Sequence, residues 1–218
     1  MNSSCLFQTS CLHANSLITA PKGTTIVMPE QRASSVFHLH EGVVGYFKTS
    51  PEGREAVSVL VVPPLLIGFT GFAGMDSNRH VHHISEARAI TEVVYCKTKR
   101  EAVWDLLDDR KARAEIMDLI CRSIFFMTRL TRTPIASDVA PIIIDILDAL
   151  SQSIGVRDME DRIVIPGITH DDIAAMAKTT RPTASRTLQA LERRGILDLG
   201  RRQIVVLKPE DLKRKPWA

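Results

Sequence analysis

The chain has 218 residues, 44% of them apolar and 24% charged, a globular composition that excludes disordered and collagen-like proteins. That length suits one large domain or two small ones. The formal charge of +3 is too mild to name a partner by itself, so its distribution along the chain has to be read.

No Lys or Arg precedes Lys22, so the charged n-region of a secretory leader is missing. Cys5, Cys11, Cys96 and Cys121 are too few for a disulfide scaffold in a chain that can build its own core. Their expected setting is a reducing cytoplasm. Residues 22–100 read as short strands between turn signals. Residues 24–28 precede Pro29, 35–39 run into Glu41-Gly42, and 43–47 run into Ser50-Pro51-Glu52-Gly53. Residues 56–62 end at Pro63-Pro64, and 87–95 close the set. Turns every 8–12 residues or so favour an antiparallel barrel or sandwich. The uncharged run 56–75 is long enough to raise the question of a membrane, but Pro63, Pro64, Gly68, Gly71 and Gly74 break it. A bilayer would leave that broken backbone unpaired, so no membrane span is expected.

From Glu101 the period changes to that of a helix. Ile116, Ile120, Ser123, Met127 and Leu130 recur at three- and four-residue steps, with Leu119, Ile124 and Phe126 widening the stripe. Pro134 ends or kinks this helix after Thr133. So wide an apolar stripe packs either on its own barrel or against a second copy as a dimer seam. A further helix starts at Ser137 or Asp138 as N-cap, tolerates Pro141 in its first turn and buries Ile142, Ile146, Ala149 and Leu150.

The last third carries the strongest pattern. Between Ile173 and Lys208 the cations Lys178, Arg181, Arg186, Arg193, Arg194, Arg201, Arg202 and Lys208 face only Glu192 and Asp198. This block holds +6 and leaves −3 for the rest of the chain, which suggests a polyanion partner at one end. Thr169 with Asp172 resembles a capping box opening a short helix. Lys178-Thr179-Thr180 supplies a tight turn, and Arg181-Pro182 starts a second helix running to Arg194. There Ala184, Leu188 and Leu191 face inward, while Thr183, Ser185, Arg186 and Gln189 face out. Gly195 caps the helix, and residues 196–207 form a β-hairpin with Arg201-Arg202 at its tip. Helix, short turn, helix and basic hairpin is the order of a winged helix-turn-helix. A helix of this kind fits the major groove, where Arg181 and Arg186 can meet a guanine edge or a phosphate. Thr180, Thr183, Ser185 and Gln189 can anchor or read, and Arg201 and Arg202 can neutralise the flanking backbone.

The run Thr180-Arg181-Pro182-Thr183-Ala184-Ser185-Arg186-Thr187-Leu188, followed by Leu191-Glu192-Arg193-Arg194-Gly195-Ile196-Leu197, resembles the recognition helix of the Crp/Fnr family of bacterial regulators. Lys22-Gly23-Thr24-Thr25-Ile26, residues 36–42 and Leu66-Ile67-Gly68-Phe69 are similar to that family's barrel. The resemblance spans residues 20–210. It implies an α+β chain: an N-terminal jelly-roll sensor barrel over 1–108, a dimerisation helix and hinge over 109–136, and a winged-helix domain over 137–218. It also implies a homodimer on a palindromic double-stranded DNA operator, with RNA polymerase as a further partner. Two residues depart from the pattern: Pro182 stands where many members carry a base-reading Glu, and Lys178 replaces the usual turn Gly.

The effector stays open. Cyclic-nucleotide members hold ribose and phosphate with a Gly-Glu pair and a later Arg-Ser/Thr-Ala. The matching stretches here are Gly68-Phe69-Thr70-Gly71 and His82-His83-Ile84, which lack both the Glu and the Arg and argue against cyclic AMP. Cys5 and Cys11 are spaced like the last two cysteines of the oxygen-sensing member's N-terminal cluster, and Cys96 falls at its internal ligand. An iron–sulfur cluster would need His13 or Cys121 in place of a missing fourth thiolate. A thiol switch and plain structural cysteines are the alternatives. His80, His82 and His83, with His38 and His40, could supply an axial haem ligand, and a small organic ligand in the barrel is a further possibility. The alternative to a regulator is a cupin-like metalloenzyme using His80, His82 and Glu86, since that spacing matches most of the first cupin metal motif.

Overall fold

The computed structural model describes residues 17–49, 53, 55–68, 81–130 and 139–213. The chain divides into two compact units, Met1–Phe47 with Val61–Met127 and Lys48–Leu60 with Thr128–Ala218. The β-rich part holds β1 (Ile18–Ala20), β2 (Thr25–Val27), β3 (Ser35–Glu41), β4 (Val44–Thr49), β5 (Glu55–Val61), β6 (Leu66–Ile67), β7 (Glu86–Ala89) and β8 (Val93–Lys99). These form two four-stranded sheets, in the orders β1-β8-β3-β6 and β2-β7-β4-β5. The arrangement fits the expected jelly roll.

β3 is buried on both faces from Ser35 to Leu39, as befits a strand inside its sheet. It pairs antiparallel with β8, Ser35 opposite Lys99 and His38 opposite Cys96, and the register shifts between Leu39 and Glu41. Its other neighbour, β6, sets Leu66 opposite His38.

Residues 87–95, expected as one strand, are two. Ile90 N and Thr91 N both donate to the Val43 carbonyl, at 2.8 and 3.4 Å, and Val43 N donates to Thr91 Oγ1 at 2.9 Å. This crossover takes the chain from one sheet to the other. Gly42 makes it feasible: at φ +84°, a Cβ there would lie 2.1 Å from the Glu92 carbonyl oxygen.

Two helices follow, α1 (Arg100–Leu106) and α2 (Arg110–Leu130). Asp109 Oδ1 accepts from Ala112 N at 2.8 Å, satisfying one of the orphan donors at the start of α2. Ala112, Ile116, Leu119 and Ser123 make its buried face. Ile116 and Leu119 join Val36, Leu66 and Val103 in one apolar cluster, so α1 and α2 cover the face of the β1-β8-β3-β6 sheet that carries Val36 and Leu66. Of the rest of the expected stripe, Ile120 packs half-buried against this cluster, Ile124 is 52% exposed, and the side chains of Phe126, Met127 and Leu130 lie outside the described residues. Beside the stripe, Met117 is 53% and Phe125 72% exposed. The expected hinge at 133–137 lies outside the described residues.

The C-terminal part holds α3 (Ala140–Ser153), β9 (Val156–Arg157), β10 (Ile163–Pro166), α4 (His170–Met176), α5 (Arg181–Arg193), β11 (Leu197–Gly200), β12 (Gln203–Val206) and α6 (Pro209–Lys213). Its sheet runs β11-β12-β10-β9. Ser137 and Asp138, the expected caps of α3, lie outside the described residues. The helix starts at Ala140 with Val139 as an N-cap that makes no side-chain hydrogen bond, and Pro141 sits in its first turn as expected. Its core face is shifted and broader than expected: Ile143, Ile144, Ile146, Leu147, Ala149 and Leu150 are buried, whereas Ile142, expected in the core, is half-buried. Among the described residues, no helix is long and apolar enough to cross a membrane.

Candidate nucleic-acid interface

The helix-turn-helix assembles from local rules that reinforce one another. Thr169 Oγ1 accepts from Asp172 N, and Asp172 Oδ2 accepts from Thr169 N at 2.8 Å, which completes the capping box at the start of α4. Ile173, Ala174 and Met176 are buried behind it. The chain then reverses through Lys178, whose φ of +52° places a non-glycine residue in the left-handed region. Thr180 is the extended N-cap of α5, and its hydroxyl lies 3.0 Å from that of Thr183. Ala184, Leu188 and Leu191 form the buried stripe of α5, spaced i, i+4 and i+7 as expected. Gly195 ends the helix at φ +65°, and its amide donates to the Glu192 carbonyl at 2.8 Å.

The opposite side of α5 presents the residues the sequence singled out. Arg181, Arg186 and Gln189 are exposed, while Thr183 and Ser185 are half-buried. Arg181 Nε lies 3.6 Å from Asp171 Oδ1, both side chains exposed, an ion pair weak enough to yield to a phosphate. Arg186 donates to Thr183 Oγ1 at 3.4 Å. Ser185 has a partner the sequence did not reveal: its Oγ lies 2.9 Å from His170 Nδ1 on α4. That contact locks the two helices across the turn, and no local pattern announces it, because it depends on how the helices cross.

The wing is tied to the same unit. β11 and β12 pair from Leu197↔Val206 to Gly200↔Gln203, leaving Arg201 and Arg202 as the two-residue tip, both exposed. Arg202 takes φ +58°, and its carbonyl accepts from Gly167 N at 2.9 Å, fixing the tip to the loop that leads into α4. Glu192 Oε1 accepts from Leu199 N at 3.1 Å, joining the last turn of α5 to β11.

The other sequence candidates fare differently. Cys5 and Cys11 lie outside the described residues; Cys96 is buried in β8. His80 is also outside, and His82 is exposed. Glu86 accepts from Thr25 Oγ1 at 2.7 Å and from Arg88 Nε at 3.0 Å. Burial pushes its carboxyl upward, but those hydrogen bonds and the Arg88 charge outweigh it and hold the group below its ordinary value. Glu86 is thus an anchor between β2 and β7. At the position matched to the phosphate-binding Gly, Gly68 N donates to Tyr46 Oη at 2.7 Å. Burial pushes the Tyr46 phenol up to about 12, against the opposing pull of that bond. His83 borders the same glycine, its Cε1 3.3 Å from where a Gly68 Cβ would stand. Burial, aided by the nearby His82, lowers the His83 pKa, so its ring is neutral at pH 7 and offers a phosphate no charge.

A jelly-roll unit followed by a winged helix with a basic recognition face defines a DNA-binding regulator with a sensor-type domain. Residues 17–110 match the cyclic nucleotide-binding domain family, and residues 143–215 the Crp-like helix-turn-helix domain family. The chain is 24% identical over 199 residues to the CRP-like cAMP-activated global transcriptional regulator of Mycobacterium tuberculosis, covering 89% of this chain and 85% of that protein. It is 25% identical over 202 residues to the nitrogen fixation regulation protein FixK of Bradyrhizobium diazoefficiens, covering 90% and 80%. In fold it is similar to a CRP-family transcriptional regulator of Thermus thermophilus, at TM-score 0.74 and 20% identity over 92% of this chain and 97% of that one. FixK2 from Bradyrhizobium japonicum superposes at TM-score 0.69 and 20% identity, covering 93% and 98%. The chain belongs to the Crp/Fnr family of transcription regulators. Members of that family are not enzymes, so the cupin-like reading of His80, His82 and Glu86 is set aside.

Proposed function

We propose that this regulator works in the cytoplasm as a homodimer that binds a roughly palindromic operator, and that a signal received by the jelly-roll unit gates this binding. The observation that carries the reading is the polar face of α5. Arg181, Thr183, Arg186 and Gln189 stand opposite a buried Ala184-Leu188-Leu191 stripe, and the helix is linked through Glu192 to a wing tipped by Arg201 and Arg202. Thr180 sits at the helix N-terminus, where its hydroxyl and the free amides suit a phosphate. Ser185, held by His170, sets the tilt of the reading face. A contact with RNA polymerase completes the role of such a regulator on DNA.

The effector reading rests on Gly68 and its surroundings. In this chain the amide that would meet an anionic phosphate is bonded to Tyr46, and the adjacent imidazole is neutral. A cyclic nucleotide would lose its charge-assisted partner there, so the gating signal is of another kind. Titration of the purified protein with duplex DNA at two salt concentrations tests the DNA-binding claim. Six to ten phosphate contacts predict a loss of about 10³–10⁵ in affinity between roughly 50 and 200 mM salt. Absent or salt-independent binding contradicts the reading.

A further inference from the structure

We propose that His38, His40 and Cys96 form a site for one borderline-soft divalent metal ion of the zinc class, held between β3 and β8. His38 and Cys96 face each other across the β3–β8 ladder. His40 follows on the same strand, and its ring meets that of His38 edge to face, centroids 4.5 Å apart. Each residue offers one ligand atom, and all three atoms lie within 4.8 Å of one another. Among the described residues, this is where His, Cys and carboxylate ligand atoms converge.

The chemistry of the set selects the ion. Two imidazoles and a thiolate suit zinc better than calcium or magnesium, which take oxygen ligands. Three protein ligands leave one coordination position for water or a signal molecule. On binding, the Cys96 thiol gives its proton to solvent as the metal–sulfur bond forms, while the neutral imidazoles donate lone pairs, so affinity rises with pH.

The location gives the site a consequence. His38 and Cys96 are 4% and 6% exposed, and Leu66, opposite His38 on β6, belongs to the apolar cluster that receives Ile116 and Leu119 of α2. A metal here would clamp β3 to β8 beneath the helix that carries the exposed Met117, Ile124 and Phe125. The site itself stands independently of the function proposed above; only its influence on DNA binding rests on that reading.

The test uses the full-length chain carrying Cys5→Ser, Cys11→Ser and Cys121→Ser, so that Cys96 is its sole thiol, titrated with Co²⁺ in the absence of oxygen and of DNA. The expected result is one equivalent bound, with a thiolate-to-cobalt charge-transfer band, tetrahedral visible bands and displacement by Zn²⁺. Adding Cys96→Ala abolishes the charge-transfer band. His38→Gln or His40→Gln weakens binding by roughly tenfold or more, the scale on which even ligand-orienting neighbours act. Circular dichroism of each variant verifies that it is folded, and the parent titration stands even where a variant is not. Binding no tighter than that of the Cys96→Ala variant, or Co²⁺ bound without the charge-transfer band, overturns the proposal. So does wild-type protein that binds iron and acid-labile sulfide through Cys96, because that thiolate would then serve a cluster.

Discussion

Lys178 stands in the left-handed region at φ +52°, in the turn where glycine is the comfortable residue. The turn forms regardless because a satisfied capping box precedes it and Thr180 and Pro182 begin α5 immediately after it. The arginines around that turn divide by task. Arg186 projects from the second turn of α5, where a guanidinium can reach a base edge, whereas Arg202 caps a hairpin tip suited to a phosphate. Arg186→Ala should therefore cost about 1–3 kcal/mol on the preferred site and relax selectivity there. Arg202→Ala should weaken binding on all sequences alike and lower the salt slope by about one. Anisotropy titrations of both variants on specific and unrelated duplexes check the division; equal losses on both duplexes for Arg186→Ala would remove it from the reading face.

Among the elements, α2 shows most plainly what sequence can and cannot say. Its apolar stripe is legible from periodicity, but the exposed apolar face beside it, which adds Met117 and Phe125, is not. Ile116 and Leu119 pack on the sheet, whereas Met117, Ile124 and Phe125 remain exposed. That second face fits the dimer seam. Phe125→Glu should weaken self-association by at least about tenfold, because burying a large apolar side chain contributes about 1.5–3 kcal/mol. The fold of the monomer should be unaffected, since Phe125 is exposed within one chain. Sedimentation equilibrium reads the first effect and thermal unfolding of the dissociated monomer the second; an unchanged association constant would move the seam elsewhere. The helix-turn-helix was legible because its signals are local: Thr169 with Asp172, Pro182 and Gly195 each act within one turn. The strands were harder. β1 and β6 are too short to show alternation, and the break between β7 and β8 comes from hydrogen bonds to distant Val43. The meeting of His38 with Cys96 and that of His170 with Ser185 are likewise non-local, set by strand register and helix crossing.

For the whole molecule, a basic recognition unit and an apolar helix face acquire their meaning together. Two copies joined along α2 would present two α5 helices, and the symmetry of the pair dictates the symmetry of the site. A signal at the jelly-roll unit needs only a coupling of about 1–3 kcal/mol to switch occupancy of such an operator several-fold or more. Enrichment of bound sequences from a random duplex pool by the full-length protein tests this account most directly. The predicted product is an inverted repeat whose half-sites lie about one helical turn apart, roughly 34 Å. A single unrepeated element, or no enrichment at all, would contradict it.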